Sequence, residues 1–209
     1  MIHAYHVILP MYGFWLPNDP RGSWSETVRK WELIRFGPST KSLERKSLDE
    51  LTPAEKAQRD AARQSMVYPP VSLSDNQLDA IAEAFGSRAA KSGYSIWACS
   101  ILPEHTHLVI ARHVFKVEQI VNLMKGAATR HCVERNLHPL GQFARQGKPP
   151  PRMWAEHEWK VFLDSEEAIE NAVHYVEQNP LKESRSAQVW PFVSRFEGLP
   201  QGWVTYHLT

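Results

Sequence analysis

Two histidines stand two residues apart in the segment Glu104–Ile110, which reads E-H-T-H-L-V-I. The apolar and β-branched residues of this segment predict a buried strand, and successive side chains of a strand point to opposite faces of a sheet. His105 and His107 therefore share one face, while Thr106 lies on the other. Two neutral imidazoles placed side by side can bind a divalent cation through their ring nitrogens. The alternative is a pair of structural histidines at the mouth of a hairpin.

A second group that can do chemistry lies on the last helical segment, S-E-E-A-I-E-N-A-V-H-Y-V-E-Q-N-P. Ser165 is a typical N-cap, and Pro180 is predicted to end the helix because the residue before a proline avoids helical backbone angles. Tyr175 and Asn179 are four residues apart, so they share a face of this helix. The phenol can attack an electrophile, and the amide oxygen can complete a metal site begun by the histidines. The alternative is a half-buried core tyrosine followed by an asparagine that caps the helix.

The elements that must position these residues follow from hydrophobic periodicity and from turn signals. They are a strand at 3–9, a helix from Ser74 to Gly93, strands at Tyr94–Ile101 and His105–Ala111, a helix from Val117 to about Asn136, one or two short strands between Met153 and Asp164, and the last helix. This order predicts an α+β fold, a ferredoxin-like (split βαβ) antiparallel sheet packed with helices, with an extra C-terminal helix and a tail. One domain over 1–209 is expected, with an insertion at about 25–70 that carries a helix beginning at Thr52-Pro53.

The charge of the chain is nearly balanced, with a formal net charge of +1 over 209 residues. This excludes a chain that binds nucleic acid through overall basicity. Basic residues are nevertheless concentrated between the middle helix and the following loop, at Lys125, Arg130, Arg135, Arg145, Lys148 and Arg152. They predict a local phosphate-binding surface, with a solvated helix face and loop as the alternative. The N-terminal residues resemble no export signal, and no apolar run approaches a membrane span, so we expect a cytoplasmic protein without a membrane partner.

The combination of segments is more specific than its parts. L-P-E-H-T-H-L-V-I, followed at a distance by A-V-H-Y-V-E-Q-N-P-L-K, resembles the HUH single-tyrosine transposases, and most closely their REP-associated tyrosine transposase branch. The opening A-Y-H-V-I-L-P-M-Y-G-F-W-L-P-N-D-P-R-G, the segment I-V-N-L-M-K-G-A-A-T-R and the late W-P-F-V-S-R are similar to further parts of that family. The resemblance covers most of the chain outside residues 25–70.

That resemblance implies a ferredoxin-like fold and an enzyme that cuts and rejoins single-stranded DNA. It implies His105 and His107 as metal ligands, Tyr175 as the nucleophile, Asn179 as the third ligand and Mg²⁺ or Mn²⁺ as the cofactor. Two departures exist. Thr106 stands where the family usually has an apolar residue, and the position of Asn179 is glutamine in the insertion-sequence branch, which leaves Gln178 as a competing ligand.

The implied reaction forms a 5′-phosphotyrosine link and a free 3′-hydroxyl during transposition or mobilisation of REP-type hairpin elements. The implied partner is single-stranded or hairpin DNA, with Trp154 and Trp159 stacking on unpaired bases or else packing in the core. The active protein is a monomer or a homodimer. Two alternatives stay open: a domesticated protein that binds hairpin DNA without turnover, and a metal hydrolase whose nucleophile is water. A replication initiator or relaxase shares the histidine pair, but this chain has no room for a helicase domain.

Overall fold

The computed structural model describes residues 1–16, 19 and 50–200. By its internal contacts the chain divides into two compact units. One consists of Met1–Pro10 with Ser72–Thr209, and the other consists of Met11–Val71. Residues 25–49 of the predicted insertion lie outside the described residues, so a single domain with an insertion at 25–70 stays a prediction.

The larger unit is built on a four-stranded sheet. Its strands are β1 (Ala4–Pro10), β2 (Ile96–Ile101), β3 (His105–Ala111) and β4 (Trp159–Leu163). They lie in the order β2-β3-β1-β4, and every neighbouring pair is antiparallel. Strand β3 lies between β1 and β2, which is the split βαβ arrangement. The predicted α+β, ferredoxin-like fold is therefore confirmed.

Four helices accompany the sheet strands along the described parts of the chain: α1 (Pro53–Gln64), α2 (Asp75–Ser92), α3 (Val117–Glu134) and α4 (Glu166–Lys182). Helices α2 and α3 pack against each other, and α2 also contacts β2. Helix α4 packs across β2, β3 and β4. None of the described helices has both the length and the apolar character that crossing a bilayer requires.

The ends of the helices follow local sequence signals. Ser165 begins α4 by accepting a hydrogen bond from the N–H of Ala168, 3.1 Å away, as its N-cap position predicts. Gly93 ends α2 with a φ of 69°, a left-handed conformation that glycine adopts without a steric penalty. In the smaller unit, Thr52 and Glu55 form a reciprocal capping box at the start of α1. The predicted helix start at Thr52-Pro53 is therefore confirmed.

The predicted end of the last helix is wrong. Helix α4 continues through Pro180 to Lys182. Proline lacks an N–H, so the carbonyl of Val176 loses its usual partner, but burial of Pro180 and the packing of the helix on the sheet outweigh this loss. The continuation matters because it keeps Asn179 inside the helix instead of at its cap.

One face of the sheet packs against α4. The core cluster on this face joins Ala4, Val109 and Leu163 of the strands to Ile169 and Val176 of the helix, all of them buried. Phe196 of the tail also packs against this cluster, with its ring centroid 4.6 Å from that of Trp97. Helix α4 is thereby fixed on the face that carries the two histidines of β3.

Candidate active site

The histidine pair lies at the start of β3, which is an interior strand of the sheet. His105 and His107 project from the same face of β3, and their ring centroids are 4.9 Å apart at an interplanar angle of 73°. His107 is 3% exposed, and it lies opposite Ile8 of β1 and Ser100 of β2. Strand alternation thus predicts the common face of the two rings correctly.

Helix α4 brings Tyr175 over this pair. The tyrosine ring lies with its centroid 5.7 Å from that of His107. Its side of the helix borders the buried stripe formed by Ile169, Ala172, Val176 and Asn179. Tyr175 itself remains 40% exposed. A phenol beside the histidines is therefore open to a substrate that approaches from solvent.

Further along α4, Asn179 and Glu183 follow Tyr175 at intervals of four residues. Glu183 lies just past the helix end, with Oε1 3.8 Å from Nε2 of His105. Because Tyr175 contacts His107 and Glu183 approaches His105, Asn179 between them faces the histidine pair. Its side chain is buried, and its amide nitrogen has no hydrogen-bond partner among the described residues.

A cation also lies at the tyrosine. Lys182 places its Nζ 4.4 Å from the centroid of the Tyr175 ring, which is the geometry of a cation–π contact. The two residues are seven apart, about two helical turns, and so lie on the same side of α4. A positive charge is thus held where negative charge would form on a phenolate or on a phosphate.

His6 is a member of the site that the sequence patterns do not single out. Its Nε2 lies 3.0 Å from Nδ1 of His107, within hydrogen-bond distance, and the ring centroids are 5.2 Å apart with the two planes inclined by 27°. The His6 ring is also 5.7 Å from that of Tyr175. The order of the strands is the feature that predicts this contact. Strand β1 pairs with β3, and the register places Ile8 opposite His107, so His6, two residues before Ile8, lies on the same face and diagonal to His107.

Burial keeps these two rings neutral. It lowers the pKa of His6 to about 4. Burial lowers the pKa of His107 to about 2, with further electrostatic contributions from His105, His6 and Lys182. Neutral imidazoles are the form that binds metal ions. Burial also raises the pKa of Glu183, with a further contribution from the neighbouring Glu104.

The donors present fit a divalent cation. Two imidazoles, an amide and a nearby carboxylate match the preferences of Mn²⁺, while Mg²⁺ favours the oxygen donors. The amide nitrogen of Asn179 is buried without a hydrogen-bond partner among the described residues. When the amide group rotates by half a turn, its oxygen takes the place of this nitrogen and becomes a possible ligand. Among the described residues, no three His, Cys, Asp or Glu side chains form a metal-binding group by themselves. The fit therefore depends on Asn179. Gln178, the competing ligand, is half-buried beside it.

Most of the residues predicted to contact DNA are exposed, and one of the exposed residues is already ion-paired. Arg130, Arg145, Lys148 and Arg152 are exposed. Arg135 is exposed as well, but its guanidinium is paired with Glu83.

Two other predicted contacts lie in the interior. Lys125 is 8% exposed, and its Nζ lies 3.4 Å from Glu158 and 3.4 Å from the carbonyl of Ala155. Trp154 is 6% exposed and stacks on Phe85. These two side chains do not belong to the exposed surface that the sequence suggests for phosphate and base contacts.

No protein-family model and no curated protein matches this chain. Among solved structures, it is similar to a REP-associated tyrosine transposase bound to a REP hairpin, at 14% identity and a TM-score of 0.46 over 91% of this chain and 74% of the other. It is also similar to a candidate transposase from Deinococcus radiodurans R1, at 12% identity and a TM-score of 0.42 over 90% of this chain and 94% of the other. Both are described as transposases, the class that the sequence segments resemble. At values this low, neither similarity assigns an activity to this chain.

Proposed function

We propose that this protein is a metal-dependent endonuclease and strand transferase for single-stranded DNA, with Tyr175 as its nucleophile. The observation that carries the proposal is the juxtaposition of a partly exposed phenol with two same-face histidines. The Tyr175 and His107 rings are 5.7 Å apart, and the His105 and His107 rings are 4.9 Å apart. A nucleophile and a pair of imidazole nitrogen donors are thus held within reach of one phosphate group.

His105, His107 and Asn179 would hold Mg²⁺ or Mn²⁺ at this site. At this position a bound cation would supply positive charge next to a non-bridging oxygen of the scissile phosphate. Burial of His107 keeps its imidazole neutral and rigid, so the strand needs little reorganisation to present a donor nitrogen. The sheet and α4 fix all three residues on packed elements, which is how precise sites are built.

Tyr175 performs the covalent step. Its oxygen attacks phosphorus, the bond from phosphorus to the 3′ oxygen breaks, and that oxygen leaves as a 3′-hydroxyl while the phenolic proton is released. The ammonium group of Lys182, 4.4 Å from the ring, stabilises the negative charge that develops on the phenol and the phosphate. Because the 5′-phosphotyrosine link replaces one phosphoester by another, attack by a 3′-hydroxyl reverses the step and rejoins DNA without ATP.

The proposed substrate is single-stranded or hairpin DNA of the REP type, which one of the similar structures binds. The exposed basic residues Arg130, Arg145, Lys148 and Arg152 would contact phosphates. Trp159 is a candidate for stacking on an unpaired base, because it lies opposite Ile8 and therefore on the histidine-bearing face of the sheet. The reaction would serve transposition or mobilisation of such elements, by a monomer or a homodimer.

Formation of a covalent adduct tests this proposal. We expect the protein, with Mn²⁺ and labelled hairpin DNA from its own genomic neighbourhood, to form a protein–DNA adduct that survives denaturant. Tyr175→Phe and His105→Ala should abolish the adduct. Two matched controls should retain it: Tyr5→Phe, on the opposite face of β1 against Phe162, and His174→Ala, exposed beside Tyr175.

The alternatives give different outcomes in the same assay. Cleavage without an adduct, unaffected by Tyr175→Phe, would point to a hydrolase that uses water. Tight hairpin binding with neither cleavage nor adduct would favour a binding protein without turnover. The presence of Tyr175 together with both histidines argues against this last case, since binding alone requires none of them.

A further inference from the structure

His6 lies within hydrogen-bond distance of the proposed ligand His107. Nε2 of His6 and Nδ1 of His107 are 3.0 Å apart, and this contact is buried. Two nitrogens at this distance share one proton, because two lone pairs or two N–H groups would repel each other. Each ring therefore fixes the tautomer of the other.

Only one of the two possible arrangements suits a ligand. If Nε2 of His6 donated its proton, the neutral His107 would carry its own proton on Nε2, and neither of its nitrogens could bind a cation. If His107 instead donates from Nδ1, its Nε2 is free of a proton and has a lone pair available. His6 must then carry its own proton on Nδ1. The ligand role of His107 and the orientation of this hydrogen bond are thus coupled.

We propose that His6 is a positioning residue: it accepts the Nδ1–H of His107 and so holds that ring in the tautomer and orientation that bind the metal ion. This inference rests on the ligand set of the proposed function. Histidine ligands usually donate their second N–H to a carboxylate, a backbone carbonyl or water. Here the acceptor is a neutral imidazole, 9% exposed, which avoids burying a carboxylate in the sheet face.

The same geometry separates His6 from a ligand role. Its Nε2 is engaged with His107, so it is not available to a cation. Its ring plane is inclined by 27° to that of His107, with the two nitrogens facing each other, so the hydrogen bond restrains rotation of the ligand ring. The centroid of the His6 ring also lies 5.7 Å from that of Tyr175, so His6 contacts both the proposed ligand and the proposed nucleophile.

The first test needs no variant and no DNA. Two-bond proton–nitrogen correlation spectra of the metal-free protein, with ¹⁵N-labelled histidine, report which nitrogen of each ring carries the proton. We expect His107 to be protonated on Nδ1 and His6 to be protonated on Nδ1. A His107 protonated on Nε2 would overturn the proposal.

The second test measures the affinity for Mn²⁺ by electron paramagnetic resonance. His6→Phe keeps a flat ring but removes the acceptor, and we expect it to weaken Mn²⁺ binding by about 10- to 100-fold. His6→Gln restores an acceptor oxygen and should recover most of the affinity. His138→Gln replaces a buried histidine outside the site and should leave Mn²⁺ binding unchanged.

Equal Mn²⁺ affinity in the wild type, His6→Phe and His6→Gln would overturn the role of His6 while leaving the ligand set intact. Absence of Mn²⁺ binding in the wild type would overturn the ligand set and this inference together. Should His6→Phe not fold, the tautomers seen in the spectra of the wild-type protein still decide the question.

Discussion

Asn179 occupies a position where a polar side chain is costly. It is buried in α4, and its amide nitrogen has no hydrogen-bond partner among the described residues. An unsatisfied buried polar group destabilises a fold by about 1–3 kcal/mol. Residues kept at such a cost often serve function. A half-turn of the amide group would exchange its two ends, so that the oxygen lies at the unpaired position and can bind a cation held with the two histidines.

We expect Asn179→Ala to weaken Mn²⁺ binding by about 10-fold or more, because it removes a ligand from a small donor set. Gln178→Ala, the matched control on the adjacent residue, should leave the affinity within about 2-fold. Isothermal titration calorimetry measures both. The reverse pattern, with Gln178→Ala the damaging change, would make Gln178 the third ligand.

Single residues could be predicted where one element decides them. Alternation along β3 is enough to place His105 and His107 on one face, and helical spacing is enough to place Tyr175 and Asn179 together. His6 could not be placed in this way, because its contact with His107 depends on the order of the strands. The interior positions of Lys125 and Trp154 depend similarly on which faces pack against each other, which local charge and aromatic content do not reveal.

At the scale of elements, α4 matters most, because it carries the proposed nucleophile Tyr175, the proposed ligand Asn179 and the ammonium group of Lys182. It ends in a Schellman-type arrangement, in which the N–H of Arg185 donates to the carbonyl of Pro180 over 2.9 Å. Ser184, which directly precedes Arg185, adopts a φ of 56°. This left-handed conformation favours glycine.

Ser184→Gly should therefore stabilise the protein by about 1 kcal/mol. Ser186→Gly is the control, because Ser186 is also exposed but is not among the non-glycine residues with positive φ, and it should be neutral or slightly destabilising. Urea denaturation followed by circular dichroism measures the free energy of unfolding of each variant. A destabilised Ser184→Gly protein would show that the helix end does not require the left-handed conformation.

The sequence predicts the ends of helices where a local cap decides them, and it fails where tertiary packing decides them. Caps such as Ser165, Thr52 and Gly93 act locally, so their helices begin or end as expected. Pro180 does not end α4, because tertiary packing outweighs a local preference at this position. The same packing brings Asn179 into the site.

At the scale of the whole molecule, buried neutral histidines make stability depend on pH. Burial lowers the pKa of His6, His107 and His138 below the ordinary value near 6.5. Below about pH 6.5 the unfolded chain therefore binds protons that the folded chain does not, so the free energy of unfolding falls as the pH falls. The loss from His6 continues down to its folded pKa of about 4.

His138 gives the clearest variant, because it lies outside the proposed site and accepts the N–H of Leu140 at its Nδ1, 3.2 Å away. With a chelator present, we expect His138→Gln to reduce the slope of stability against pH below pH 6.5 by up to about 1.4 kcal/mol per pH unit. Urea denaturation between about pH 4.5 and about pH 7.5, roughly two units below and one unit above the pKa of free histidine, measures this slope. An unchanged slope would mean that His138 takes up its proton in the folded state as readily as in the unfolded chain.

The proposed binding of DNA also depends on the whole surface. Replacing Arg145, Lys148 and Arg152 together by glutamine should weaken hairpin binding and reduce the slope of log affinity against log salt concentration by about 2–3, since each contacted phosphate contributes about 0.7–0.9. Arg135→Gln should have a smaller effect, because its guanidinium is already paired with Glu83. Fluorescence anisotropy at several salt concentrations tests both. An equal loss of affinity from Arg135→Gln would indicate that the DNA instead contacts the surface around Arg135 and Glu83.

The most direct test of the central claim is to find the residue that carries the DNA. The protein is allowed to react with hairpin DNA and Mn²⁺, the adduct is digested with nuclease and protease, and the peptides are sequenced by mass spectrometry. We expect a nucleotide linked through phosphate to the peptide that contains Tyr175, and no such mass in the Tyr175→Phe protein. A nucleotide attached to another residue, or cleaved DNA with no modified peptide, would contradict the role of Tyr175 as the nucleophile.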